Sequence, residues 1–295
     1  MNDYILTCAS TVDLYKDYFP KRNVFCIPFA FSLDDKTYID DFGTTISYPD
    51  FYKAMVDGAM TKTSQPNPGD YIEYFEKILQ EGKDILHIEF SSGLSGALTS
   101  SKTAQKELSE KYPERKILIV DSLAASGGYG MFVDKIADLR DSGMSIDELY
   151  EWAMANRLRV HHWFYSTDLT FYVRGGRVSK AAGWFGTLLK ICPLLNVDLN
   201  GKLIPRFKIR GRLKAGQEAV KKMEEFADNG YDYSDKCFIT HSNCIEDAEY
   251  VKGLVEEKFH NLKGKVEIYN IGTVIGAHTG PGTVALFFFG KERID

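Results

Sequence analysis

No apolar run in this chain reaches the length a helix needs to cross a bilayer. The apolar stretch from Val284 to Phe289 is strand-sized, so no membrane span is expected. Cysteine is scarce: Cys8, Cys26, Cys192, Cys237 and Cys244 are scattered and odd in number. That pattern argues against a disulfide-stapled domain and for reduced, mostly buried thiols. Cys237 and Cys244 flank His241, but without the tight ligand spacing of a zinc site, so no metal is expected. Positive charge is in deficit, with 36 basic against 41 acidic residues and a formal charge of −5. Duplex binding needs concentrated Lys and Arg, so no nucleic-acid partner is expected. The stretch Arg206–Lys214 is the nearest basic candidate, and it reads as a solvated edge with a sharp turn. Met1-Asn2-Asp3 lacks the basic start of a signal peptide. Together with the thiol pattern this predicts a cytoplasmic protein.

Nucleotide fingerprints are also missing. Gly128 and Gly130 match only part of Gly-x-Gly-x-x-Gly, and that match does not follow the first strand. No Gly-Lys-Ser/Thr follows a glycine-rich loop. Nicotinamide, flavin and P-loop chemistry are therefore not expected, and neither is any other cofactor.

What is present is a large apolar complement. Hydrophobic residues make up 44% and aromatics 13% of 295 residues, enough for one large or two medium domains. Ile5–Cys8, Val24–Leu33, Ile85–Phe90 and Lys116–Val120 read as strands. Between them, Asp70–Gln80, Ser95–Lys111, a helix from about Ala124 to Arg140, and Ile146–Arg159 carry apolar residues at helical spacing. Strands alternating with helices predict a mainly parallel sheet. Beyond residue 160 the pattern changes. Pro193–Asp198 and Leu203–Ile209 flank Asn200-Gly201, a strong hairpin signal. Strands at Trp163–Ser166, Cys237–His241, Val266–Ile271 and Val284–Phe289, with two intervening helices, predict a mixed sheet covered on one side. The expected fold class is α/β in two domains. Residues 1–160 form a three-layer α/β/α domain with a parallel sheet, and residues 161–295 a two-layer domain with a mixed sheet and helices.

Four polar loops carry the functional signal. Thr61–Pro66 feeds the helix near Asp70, and Pro66 keeps Gln65 out of the helical region. Ser91–Gly96 joins a strand to a helix start, where hydroxyls and backbone N–H groups can hold an anion; Ser95 can equally serve as an ordinary cap. Asp121–Gly130 allows close helix approach through its glycines. Ile271–Gly282 brings several glycines close to His278, which can donate to a carboxylate, act as a base, or simply be structural. His241 ends an apolar strand and reads as a satisfied core-edge residue.

At these loops the sequence resembles the DegV family. The matching stretches are Ser10–Leu14, Thr63-Ser64-Gln65-Pro66, Ser91–Gly96, Arg174–Ser179 and Gly276–Gly282, and the resemblance runs from the first strand to the last. It implies an α/β/α domain, a mixed-sheet domain backed by helices, a sheet arrangement similar to that of the dihydroxyacetone kinase substrate-binding subunit, and a long-chain fatty acid in an apolar interdomain tunnel. Carried over by motif, Thr63 and Ser95 hydrogen-bond the carboxylate, Gly96 contributes a backbone N–H and His278 lies close to the same head group. Arg174 and Arg177 resemble the family's arginine positions near the domain junction and partner face, and Arg210 resembles a basic family position after the hairpin. In the bacterial fatty-acid kinase system such a protein presents the acid to a separate ATP-dependent kinase subunit, for phospholipid synthesis. The resemblance offers that subunit as a candidate partner. Asn67 departs from the family's small hydroxyl residue, Cys8-Ala9 from its usual opening, and Trp184–Cys192 is more aromatic than its counterpart.

The implied role is binding, without self-contained catalysis. A stand-alone lipid carrier or sensor is the nearest alternative. A serine hydrolase using Ser95, His278 and Asp121 is the enzyme alternative, but Gly93-Leu94-Ser95-Gly96-Ala97 lacks the second glycine of a nucleophile elbow where it is needed.

Overall fold

Pro28 divides what its neighbours would otherwise make one strand. It has no backbone N–H to donate, and the chain turns there, with the Phe29 N–H donating to Ser10 Oγ at 3.1 Å. The expected strand Val24–Leu33 is therefore two strands in two sheets. A computed structural model describes residues 4–179 and 191–293, so the aromatic segment from Trp184 to Lys190 lies outside the described residues.

The first half runs β1 (Tyr4–Ala9), α1 (Tyr18–Arg22), β2 (Val24–Ile27), β3 (Ala30–Leu33), β4 (Lys36–Ile39), α2 (Tyr48–Val56), β5 (Thr61–Ser64), α3 (Pro68–Gln80), β6 (Asp84–Glu89), α4 (Ala97–Lys111), β7 (Ile117–Asp121), α5 (Ser126–Asp141) and α6 (Ile146–Asn156). Strands β2, β1, β6 and β7 form a wholly parallel sheet in that order. Helices flank it, as the sequence pattern predicts. Strands β4, β3 and β5 form a separate antiparallel sheet. Thr61–Ser64 is thus a strand, not the loop expected from its polarity. Thr is a good strand residue, and Thr63 pairs with the buried Phe31 across the ladder.

Asn67 caps α3. Its side chain accepts from Gly69 N at 2.8 Å and Asp70 N at 3.2 Å, while Asp70 Oδ2 accepts from Asn67 N at 2.8 Å. Such a box contributes about 1 kcal/mol, so asparagine serves as well there as a small hydroxyl residue.

The second half runs β8 (Val160–Ser166), α7 (Thr170–Arg174), β9 (Ile191–Val197), β10 (Leu203–Arg210), α8 (Arg212–Phe226), β11 (Cys237–His241), α9 (Ile245–Lys258), β12 (Glu267–Asn270), α10 (Thr273–Thr279) and β13 (Thr283–Phe289). Its sheet has the order β10-β9-β8-β13-β11-β12, mixed because only β11 and β12 pair in parallel. Every strand of this sheet begins at Val160 or later. Asn200-Gly201 turns the β9–β10 hairpin, as expected, with Gly201 at φ +72°. Residues 271–282, expected to be a loop, contain the short helix α10.

The two faces of this sheet meet different layers. Helices α8 and α9 cover one face. On the other, His162, Thr240 and Phe287 point toward the first domain. A side chain on Gly127 would strike Thr240 and Phe287, and one on Gly128 would strike His162 and Phe287. The two glycines let α5 lie directly on the second sheet. One continuous apolar core consequently runs through both halves. Among the described residues, no helix is long and apolar enough to cross a membrane.

Candidate functional site

The face of the second sheet that meets the first domain encloses a cavity of about 300 Å³. Phe29, Phe90 and Leu94 wall it from the first half, and Phe164, Val274 and Phe287 from the second. Polar side chains interrupt this apolar wall, among them Thr63, Gln65, Ser95, Arg177 and His278, with Ser126, His162 and Thr283 elsewhere in the lining.

Helix α10 positions His278. Although it joins β12 to β13, it is tied along its length to the first domain. Tyr52 donates from its hydroxyl to the Ile271 carbonyl at 2.7 Å. Gly272 N donates to Asp13 Oδ1 at 2.9 Å, and Thr273 Oγ1 to Asp40 Oδ1 at 3.0 Å. Thr61 Oγ1 donates to the Ala277 carbonyl at 3.0 Å. The last tie is in the site itself, where Thr63 Oγ1 and His278 Nε2 are 2.7 Å apart. Burial pushes the Asp13 carboxyl up to about 8 and Asp40 to about 6, against the opposing pull of their hydrogen bonds. Asp13 thus keeps its proton near neutral pH, which avoids a bare charge in the core.

His278 is neutral near pH 7. Burial, with the nearby Arg177 charge adding to it, brings its pKa down to about 4. Its Nδ1 is buried and without a hydrogen-bond partner among the described residues. That nitrogen faces Gly175, where a Cβ would sit only 2.3 Å away. Glycine is required at this position by the close approach of the ring.

Ser95 lies two residues before the first residue of α4, so the helix starts later than expected. Its Oγ donates to Gln65 Oε1 at 2.8 Å and accepts from Ala97 N at 3.2 Å. Gly96 is the N-cap of α4; it is exposed and sits just outside the cavity wall, against the Gln65 side chain. Arg177 reaches across the junction. Its Nη2 donates to the Leu94 carbonyl at 3.0 Å and its Nη1 to Gly175 O at 2.5 Å. Burial lowers its pKa from the ordinary arginine value.

The structure therefore brings Thr63, Ser95 and His278 together and adds Arg177 to them. It separates the other two arginines from the cavity. Arg174 is exposed at the end of α7, its guanidinium 5.3 Å from the Phe171 ring centroid. Arg210 is exposed at the end of β10. Gln65 had no role in the sequence reading, although it stood inside the quoted Thr63–Pro66 motif. Its link to Ser95 depends on α4 meeting the end of β5, which spacing alone does not reveal.

The hydrolase arrangement is not assembled. Asp121 Oδ2 accepts from Ser92 Oγ at 2.5 Å, and its Oδ1 accepts from Ser92 and Leu123 N–H groups, each at 3.2 Å. Ser95 and His278 are engaged with Gln65 and Thr63 instead of with each other. His241 accepts from Cys244 N at 3.2 Å, the structural role expected for it. Among the described residues, no three His, Cys, Asp or Glu side chains cluster to hold a metal ion.

Comparison with known proteins shows the family and the fold. A family model described as "Uncharacterised protein, DegV family" matches residues 6–291. A DegV domain-containing protein of Clostridium perfringens is 37% identical over 293 residues, covering 99% of each chain. Two solved structures are each 26% identical to this chain. One, from Thermus thermophilus, is described by its fatty-acid binding as a DegV family protein; it has a TM-score of 0.84 and covers 99% of this chain and 100% of its own. The other is a DegV lipid-binding protein from Thermotoga maritima, with a TM-score of 0.83 and full coverage of both chains.

Proposed function

The chain belongs to the DegV family, and on that premise we propose that it binds a long-chain fatty acid in the cavity between its domains. One observation carries the reading. A cavity of about 300 Å³, walled mainly by apolar side chains, brings into its lining two hydroxyls, an amide, an imidazole and a guanidinium, with Thr63 paired to His278, Ser95 to Gln65, and Arg177 held on the Leu94 carbonyl. Ligand pockets have this composition, apolar walls with a few convergent polar groups. The solved relatives from Thermus thermophilus and Thermotoga maritima, described as fatty-acid-binding and lipid-binding, support the ligand class.

In this reading the acyl chain supplies most of the affinity, about 0.8 kcal/mol per buried methylene. Thr63 and Ser95 donate to the carboxylate, Arg177 provides the opposite charge and His278 orients Thr63. Two domains divided near residue 160 close on the chain. The head group lies toward the surface, since Thr63, Gln65, Ser95 and Arg177 are only partly buried and Ser64 beside them is exposed. A carboxylate so placed is open to a separate ATP-dependent kinase subunit, and the protein presents it without performing chemistry on it. No cofactor takes part.

Native mass spectrometry of freshly purified protein, followed by lipid extraction, tests the reading. One long-chain acid per chain is the expected result. An empty protein that also fails to take up added fatty acid rejects it. Addition of a candidate kinase with ATP then separates presentation, which yields an acyl phosphate, from stand-alone carriage, which does not.

A further inference from the structure

A serine hydroxyl has one proton and two lone pairs. Ser95 accepts from Ala97 N and gives its proton to Gln65 Oε1. In that state it has no proton left for a carboxylate, which only accepts. Behind the site, Gln65 Nε2 donates to Ser100 Oγ at 3.2 Å. Ser100 is buried on α4 and is not part of the cavity lining. The Gln65 amide is thus held between two hydroxyls, one in the cavity wall and one behind it.

Turning a primary amide half a turn about its last bond keeps the heavy-atom positions and exchanges donor with acceptor. Nε2 then donates to Ser95, and Ser100 donates to Oε1. Both Ser95 lone pairs are filled, by Ala97 and Gln65, and its proton is free for the cavity. The absence of a side chain at position 96 leaves room for this turn. A Cβ there would sit 3.1 Å from Oε1 and 3.2 Å from Nε2.

Resting on the fatty-acid reading, we infer that Gln65 is a positioning residue for the head group. Its amide orientation sets whether Ser95 donates to the ligand, and a carboxylate selects the donating state. His278 does the same for Thr63. With its proton on Nε2 the ring donates to Thr63 and frees the Thr63 proton, and with its proton on Nδ1 it takes that proton. Each clamp hydroxyl therefore has a neighbour able to reverse the direction of a hydrogen bond. Gln65 does so with no charge of its own.

Three ligands of one chain length test this: the acid, its methyl ester and the matching alcohol. The ester is a neutral acceptor, and the alcohol brings its own proton. Gln65→Glu replaces the amide with an ionised acceptor that holds the Ser95 proton. It should weaken acid and ester by about tenfold or more and leave the alcohol within about threefold. Loss confined to the acid means charge repulsion, and equal loss of all three means a damaged fold; either overturns the inference. Wild-type protein that binds none of the three rejects the fatty-acid reading itself. A second measurement needs no variant to fold. In wild type, the Gln65 side-chain amide resonances should move with acid and ester and hold their place with alcohol. An equal response to all three overturns the role assigned to Gln65.

Discussion

Thr63 and His278 stand 215 positions apart in the chain, yet Thr63 Oγ1 and His278 Nε2 are 2.7 Å from each other. The contact joins a strand in the first half to a helix that lies between two strands of the second sheet. The cavity lining draws Thr63, Gln65 and Ser95 from the first half and Arg177 and His278 from the second.

The clamp hydroxyls should discriminate charge. Wild type should prefer the acid over its methyl ester, and Thr63→Val or Ser95→Ala should each shrink that preference about tenfold, since a charged hydrogen bond is worth roughly 1.5–3 kcal/mol. Ser95 also accepts from Ala97 N at the start of α4, so thermal unfolding must be followed on the same protein. Calorimetric titration with both ligands checks this. Full retention of the acid preference in both variants removes the head-group assignment.

Arg177 and Arg210 should separate by position. Arg177 lines the cavity, whereas Arg210 is exposed at a strand end away from it. Arg177→Met should weaken acid binding about tenfold or more and leave ester binding nearly unchanged. Arg210→Met should leave both near wild type, because an exposed charge outside the cavity is screened. Equal losses in the two variants would show that the binding site lies elsewhere.

Gly175 gives a steric test. A methyl group there would sit 2.3 Å from His278 Nδ1. Gly175→Ala should push the imidazole from Thr63, cost about 1–3 kcal/mol of stability and lower acid affinity. Urea unfolding read beside ligand titration measures both. Unchanged values for the two would mean that the ring moves freely, against the packing described.

Stability should fall on both sides of a maximum near pH 6–7. His161 and His278 are each held at about 4 by burial, from an ordinary 6.5, and burial lowers His162 and His241 as well, so the unfolded chain binds protons first as pH falls, and these four histidines outweigh the opposing Asp13 and Asp40 carboxyls. Stability therefore declines from about pH 6.5 toward 4. Asp13 has the opposite sign, because its folded pKa is raised from 3.8 to about 8. Its stabilising contribution is complete below about pH 4 and is lost as pH rises toward 8. Asp40 adds to the same trend up to about 6. Urea midpoints at half-unit pH steps should show a flatter alkaline limb in Asp13→Asn and a flatter acid limb in His278→Gln. Parallel curves for variant and wild type would reject these assignments.

Much of this molecule is legible in one dimension. The parallel-sheet strands β1, β6 and β7 announce themselves as apolar runs between amphipathic helices, because a sheet covered on both faces needs them. Asn200-Gly201 specifies its own hairpin, since the turn geometry depends on residues adjacent in sequence. Thr63, Ser95 and His278 were legible through motif resemblance, and the cavity brings them together.

Other features carry no local signature. β5 reads as a polar loop because Thr61, Lys62, Thr63 and Ser64 lack apolar alternation; only pairing with β3 makes them a strand. α10 reads as a glycine-rich turn because its anchors, Asp13, Asp40, Tyr52, Thr61 and Thr63, all lie more than two hundred positions earlier. The sequence by itself determined the secondary-structure alternation and the presence of two α/β domains, which depend on neighbours in the chain, while motif resemblance pointed to Thr63, Ser95 and His278. Only the tertiary structure decided that Arg177 enters the cavity while Arg174 and Arg210 stay outside, and that Gln65 stands behind Ser95. Those placements arise where separate elements meet, and contacts between distant segments are set by the packing of the whole core.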